Sequence, residues 1–147
     1  MTRPDKVLVV LLYFLGVSAL LALVAVLMPL SWIVATHRWL GLGEMPTAPV
    51  VEYLARSVSA FYALFGALCL VVASDLERYR PVARFLGVAV ALMGVVSAGV
   101  DLAAGMPWWW SASEGPPEVA VGALMAFLAR PGHRTGSPPG REPLRSP

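Results

Sequence analysis

The sequence predicts an all-α fold: an integral-membrane four-helix bundle with a short interfacial helix in its first outer loop. Three observations carry that expectation. Of 147 residues, 58% are hydrophobic and 14% are charged, with a mean hydropathy of +0.71, whereas a soluble domain carries about a quarter charged residues. Uncharged stretches recur at lengths suited to a hydrocarbon core about 30 Å thick. The cations gather in alternate segments between those stretches, as the positive-inside rule requires. The single cysteine, Cys69, excludes an internal disulfide and a CxxC redox centre within the chain.

The expected spans are about 7–28, 53–74, 82–104 and 116–130, within a transmembrane domain 1–130. Val7 to Met28 is uncharged throughout. Its charged start, with Ala35 beyond it, also fits a cleaved signal peptide. The apolar run exceeds the usual core of roughly 7–15 residues, which favours a retained anchor. The second and third spans rest on the uncharged runs Ser57–Ser74 and Phe85–Val100. The fourth is short: Pro116 and Pro117 suit a helix start, where a missing amide costs nothing, and Pro131 stops it. Its expected length is roughly 22 Å, so it must thin the bilayer or let Arg130 snorkel. Residues 29–52 and 105–115 form the outer loops.

With the N-terminus in the cytoplasm, the inner segments hold Arg3, Lys6, Arg78, Arg80, Arg84, Arg130, Arg134, Arg141 and Arg145. Only Arg38 and Arg56 lie outside, so nine of the eleven cations are inner. The pI near 9 is thus a topology signal. Nucleic-acid binding has no support, because the cations are divided among three segments instead of forming one patch. The cation distribution implies a multi-pass membrane protein with both termini cytoplasmic. Residues 131–147, rich in Pro, Gly and Arg, read as a flexible cytoplasmic tail. Arg134, Arg141 and Arg145 there can touch anionic membrane lipid, each worth about 1 kcal/mol near the surface. The inner turn from Ser74 to Pro81 reads as a tight solvated connection.

Small residues at spacings of three and four mark close helix contact in lipid. The second span carries Ser59, Ala63 and Gly66, with Arg56 and Glu52 continuing the line outward. The third carries Gly87, Ala91, Gly94 and Ala98, then Asp101 and Gly105. The two seams are expected to meet, pairing Arg56 with Asp101 and with Glu52 at i, i+4. Glu52, Arg56 and Asp101 are therefore the candidate polar site, or a structural ion pair.

In the first outer loop, Ser31 is expected to cap a helix from Trp32 to Leu40, and Gly41 to end it. Trp32, Trp39, Trp108, Trp109 and Trp110 all fall outside and form an aromatic belt. With His37 and Glu114 they are the candidate outer ligand platform. The two histidines, His37 and His133, lie on opposite sides, so no two-histidine haem or zinc set exists within one chain. No metal site, cofactor or catalytic residue is expected, and no GxSxG, HExxH or phosphate-cradling loop occurs.

The Arg56-Ser57-Val58-Ser59-Ala60 start of the second span, the glycine–alanine third span and a total under 150 residues resemble the DoxX-like group of small bacterial four-helix membrane proteins. Some members of that group look like membrane subunits of quinone-linked sulfur oxidation, and no residue motif here transfers that activity. Small multidrug exporters place a Glu within the first span, and this first span has no acidic residue. The expected function is an accessory or assembly protein that self-associates or packs on a larger membrane partner. The alternative is a transporter or a lipid- or quinone-binding protein with its site under the tryptophan belt.

Overall fold

The computed structural model describes residues 2–130, and the expected tail 131–147 lies outside them. The described residues form six helices and no strand: α1 (Arg3–Leu20), α2 (Ala22–Leu27), α3 (Leu30–Trp39), α4 (Pro49–Ser74), α5 (Leu76–Ala104) and α6 (Trp108–Leu128). Three helical stretches are long and apolar enough to cross a membrane: Arg3–Leu27, Pro49–Ser74 and Leu76–Ala104.

Local chemistry explains most boundaries. Thr2 starts α1 with a capping box: its hydroxyl accepts from the Asp5 amide, and the Asp5 carboxylate accepts from the Thr2 amide at 2.9 Å. α1 and α2 are one apolar run with a slight break at Leu21, whose backbone stays right-handed helical. Met28 turns extended, and Pro29 begins α3. Ser31 lies inside that helix instead of capping it, and Pro29 holds the cap position without a side-chain bond. Gly41, at φ +71°, follows the end of α3, where its left-handed backbone is free of a Cβ penalty.

Two starts lie furthest from the sequence expectation. α5 begins at Leu76, six residues before the expected 82, because the Asp75 carboxylate accepts from the Arg78 amide and caps it. Asp75 alone therefore connects α4 to α5. Pro81 sits near the start of α5, where its missing amide leaves the Glu77 carbonyl without its helical donor. α6 begins at Trp108 behind Pro107 and runs through Pro116 and Pro117. The expected outer loop 105–115 thus shrinks to the few residues around Gly105, and the double proline lies within a helix instead of starting one.

The four long segments pack as two antiparallel pairs, α1–α2 with α4 and α5 with α6, and lesser contacts of α4 with α5 and α1 with α6 close a ring. Glycines set the spacing within both pairs. A Cβ on Gly66 would lie 2.6 Å from the Gly16 carbonyl oxygen, and one on Gly94 2.7 Å from the Gly115 carbonyl oxygen. Gly87 and Gly122 likewise abut each other's helix backbone at Ala126 and Ala91. The largest enclosed side chains, Leu8, Leu12, Cys69, Val72 and Met125, lie with Leu76, Ala83, Leu86 and Ala129. All belong to the end of the fold that holds the Asp75 turn, here the turn end. The end with α3 and Trp108 is the loop end, where the buried positions are mostly glycine, alanine and Asp101.

Candidate functional site

Arg56 is held by α4 and α2. Its Nη2 lies 2.8 Å from Glu52 Oε1, one turn earlier on the same helix. Its Nη1 donates to the Val26 carbonyl oxygen of α2. That carbonyl is free because its helical donor would be the Leu30 amide, and the extended Met28 carries the chain away before Leu30 starts α3. A guanidinium at a helix C-terminus also meets the negative end of its dipole. Arg56 therefore closes the end of α2 while staying paired with Glu52. The expected partner Asp101 takes no part.

The reason lies in how the seams pair. Small-residue spacing marks a face for close contact, and the second span's face is covered by α1 through Gly16 and Ala19. The third span's face is covered by α6 through Gly115, Glu118, Gly122 and Ala126. Gly105 leaves the seam: it follows α5 with φ +68° and ends the helix. Each seam is satisfied by a different helix, so Arg56 and Asp101 belong to different packing faces.

Asp101 is buried at 7% exposure, and its Oδ2 has no hydrogen-bond partner. The Glu118 Oε2 on α6 is likewise enclosed and unpartnered. Glu118 stands close enough to Glu114 and Asp101 to feel both charges, and Tyr62 of α4 feels Glu114 and Glu118. Asp101 and Glu118 are thus the two carboxylates at the loop end with an enclosed, unpartnered oxygen among the described residues. The sequence reading did not single out Glu118 as a site residue. Its signal was available in Gly115, Gly122 and Ala126, which step 7 and 4 and give α6 a contact face of its own.

The aromatic platform divides into two. Trp32 and Trp39 on α3 are exposed, as is Trp108. Trp109 and Trp110 meet edge to face with centroids 5.7 Å apart. Trp110 Nε1 donates to Glu114 Oε2 at 2.7 Å, which fixes that carboxylate one turn along the same helix. His37 turns inward on its own loop, Nδ1 donating to the Gly43 carbonyl at 3.1 Å. Arg38 forks onto Glu44 through Nε and Nη2, at 3.1 and 2.9 Å. That guanidinium holds the Glu44 carboxyl below its ordinary range, first by hydrogen bonding and then by charge. A groove beside this loop is lined by Leu30, Val34, Met45, Pro46 and Glu52. Among the described residues no group of three or more His, Cys, Asp or Glu is placed to hold a metal ion. No protein-family model matches the chain, and neither a curated protein nor a solved structure matches it.

Proposed function

We propose that this is a small polytopic protein of a bacterial inner membrane, an accessory or assembly subunit with both termini cytoplasmic. In this reading α1–α2, α4, α5 and α6 are the four crossings of a membrane bundle. At 21 residues, α6 is roughly 31 Å long, which matches a hydrocarbon core. Kinship with the DoxX-like group is part of the same proposal.

One observation carries it. The small-residue faces are consumed within the chain, and two arginines fasten one helix to another, Arg56 of α4 to the Val26 carbonyl of α2 and Arg80 of α5 to the Asp5 carboxylate of α1. What remains outside is a broad apolar surface including Phe14, Phe61, Phe85 and Leu102, suited to lipid and to the flank of another membrane protein. Gentle extraction from the native membrane tests this: a stoichiometric partner or second copy should co-purify. A monomer carrying bound lipid or quinone would instead decide for the second reading, a ligand-binding or transport protein. That reading draws on the unpartnered oxygens of Asp101 and Glu118. Reporter fusions at the end of α6 should report a cytoplasmic location, and an external signal would overturn the orientation.

A further inference from the structure

A carboxylate stripped of water and given no donor is costly as an ion, and the cost falls away when a cation joins it. Asp101 is in that condition: it is more than nine-tenths buried, with an enclosed oxygen that accepts nothing. Glu118, across the α5–α6 seam, also has an enclosed oxygen without a donor. Two unsatisfied carboxylate oxygens on facing helices are a pair in need of a positive charge.

Their placement brings them toward one another. Glu118 packs over Gly94, where a Cβ on the glycine would lie 2.8 Å from the Glu118 Cβ. Asp101 lies two turns further along the same face of α5. Side chains lean toward the N-terminus of their own helix. In antiparallel helices this tilts Asp101 and Glu118 toward each other. Around them stand Glu114 from α6 and Tyr62 from α4, neither of which supplies a positive charge. The arginine of α4 in this half, Arg56, is committed to Glu52 and Val26.

The size of the missing cation follows from the packing. Between the levels of the two acids, a Cβ on Gly115 would lie 2.8 Å from the Ala98 Cβ and 2.9 Å from the Gly94 carbonyl oxygen. A seam in which a single added carbon collides has no room for a metal ion with its shell of about six oxygen ligands. A proton needs none.

We propose that Asp101 and Glu118 form a proton-binding site within the α5–α6 seam, with one carboxyl neutral and the other charged at neutral pH. Binding takes one proton from water and forms one O–H bond. The Asp101 charge acts on Glu118 across the seam, and two like charges in a site shut off from water do not both ionise cheaply, so the first proton is held and the second is not. The proton is thus held between α5 and α6, on the packed face that carries Gly94, Ala98 and Gly115. The site stands independently of whether the protein acts as an assembly subunit.

Infrared difference spectra of the purified, lipid-embedded chain, recorded while pH is stepped through neutrality, test it. The expected result is a protonated-carboxyl C=O band at neutral pH that shifts in heavy water, is lost in Asp101→Asn with Glu118→Gln, and persists in Glu52→Gln. Absence of the band in the unaltered chain would overturn the site, and so would its survival in the double variant. The unaltered chain thus tests the site even where a variant fails to fold. A band that disappears as sodium or potassium is raised at constant pH would replace the proton with a metal cation and overturn the assignment.

Discussion

Asp5 and Arg80 show how a polar contact fastens two helices that share no seam. They lie 2.6 Å apart, with side chains 13% and 27% exposed, and join the first turn of α1 to the start of α5. Asp5 also completes the Thr2 cap, so one carboxylate both starts a helix and ties it down. Arg80→Gln should cost on the order of 1–3 kcal/mol, as for a hydrogen bond to a charged group. In a double-mutant cycle, Arg80→Gln with Asp5→Asn should cost less than the two changes summed. Thermal melts in detergent would show it, and strict additivity would remove the pair from the account. The exposed Arg38–Glu44 fork behaves differently. Glu44 is held below its ordinary range in the fold, so its pairing contributes above the carboxyl's unfolded value. The contribution is lost as pH falls through the lowered folded value. Acidifying through that window should loosen the loop between α3 and α4, read as faster amide exchange at Gly41 to Glu44, while the turn end stays protected. The Glu52–Arg56 contact was legible in the sequence because i, i+4 is fixed by helix geometry. The Arg56–Val26 and Asp5–Arg80 contacts were not, since a separation of 30 or 75 residues carries no such rule.

At the scale of the helix, glycine position decides which surfaces meet. Gly122→Val drives a branched side chain into the backbone of α5 at Ala91 and Gly87, and overpacking of this kind costs about 1–3 kcal/mol. Gly99, also on α5, faces open space, so Gly99→Ala should leave stability unchanged or raise it by up to about 1 kcal/mol. Comparing the two by chemical denaturation in mixed micelles separates seam from surface, and equal effects would refute the distinction. The sequence showed both seams because small residues at helical spacing are a local pattern. It could not show which helix covers each, because several faces of similar composition compete and only three-dimensional closure chooses. That is why Arg56 was expected against Asp101 and is found against Val26. The start of α6 was misjudged for a related reason. Pro116 and Pro117 favour a first turn, yet a helix tolerates lost amides when a neighbour packs tightly along it, and α5 does so through Gly94 and Ala98.

Across the whole molecule, large side chains are enclosed at the turn end and mostly small ones at the loop end. Leu12 is wholly buried in the turn-end core, so Leu12→Ala should cost about 2–5 kcal/mol. Tyr53 near the loop end is exposed, and Tyr53→Ala should barely move the melting midpoint. Equal losses would show that the core is not concentrated at one end. The helical class and three helices long and apolar enough to cross a membrane were readable from hydropathy and length. The uneven distribution of the core was not, because hydropathy cannot separate a lipid-facing leucine from an enclosed one.

Asp75 is one residue joining two helices that each pack mainly on another partner. The consequence concerns biosynthesis. Once Ser74 has left the ribosome, α1 and α4 are both complete and can dock through Gly16 and Gly66. The second half then follows as a hairpin of α5 and α6. Divided at Asp75, the gene would encode two polypeptides that each hold an intact pair. Co-expressed, they should find one another through Leu8, Leu12, Val72 and Met125.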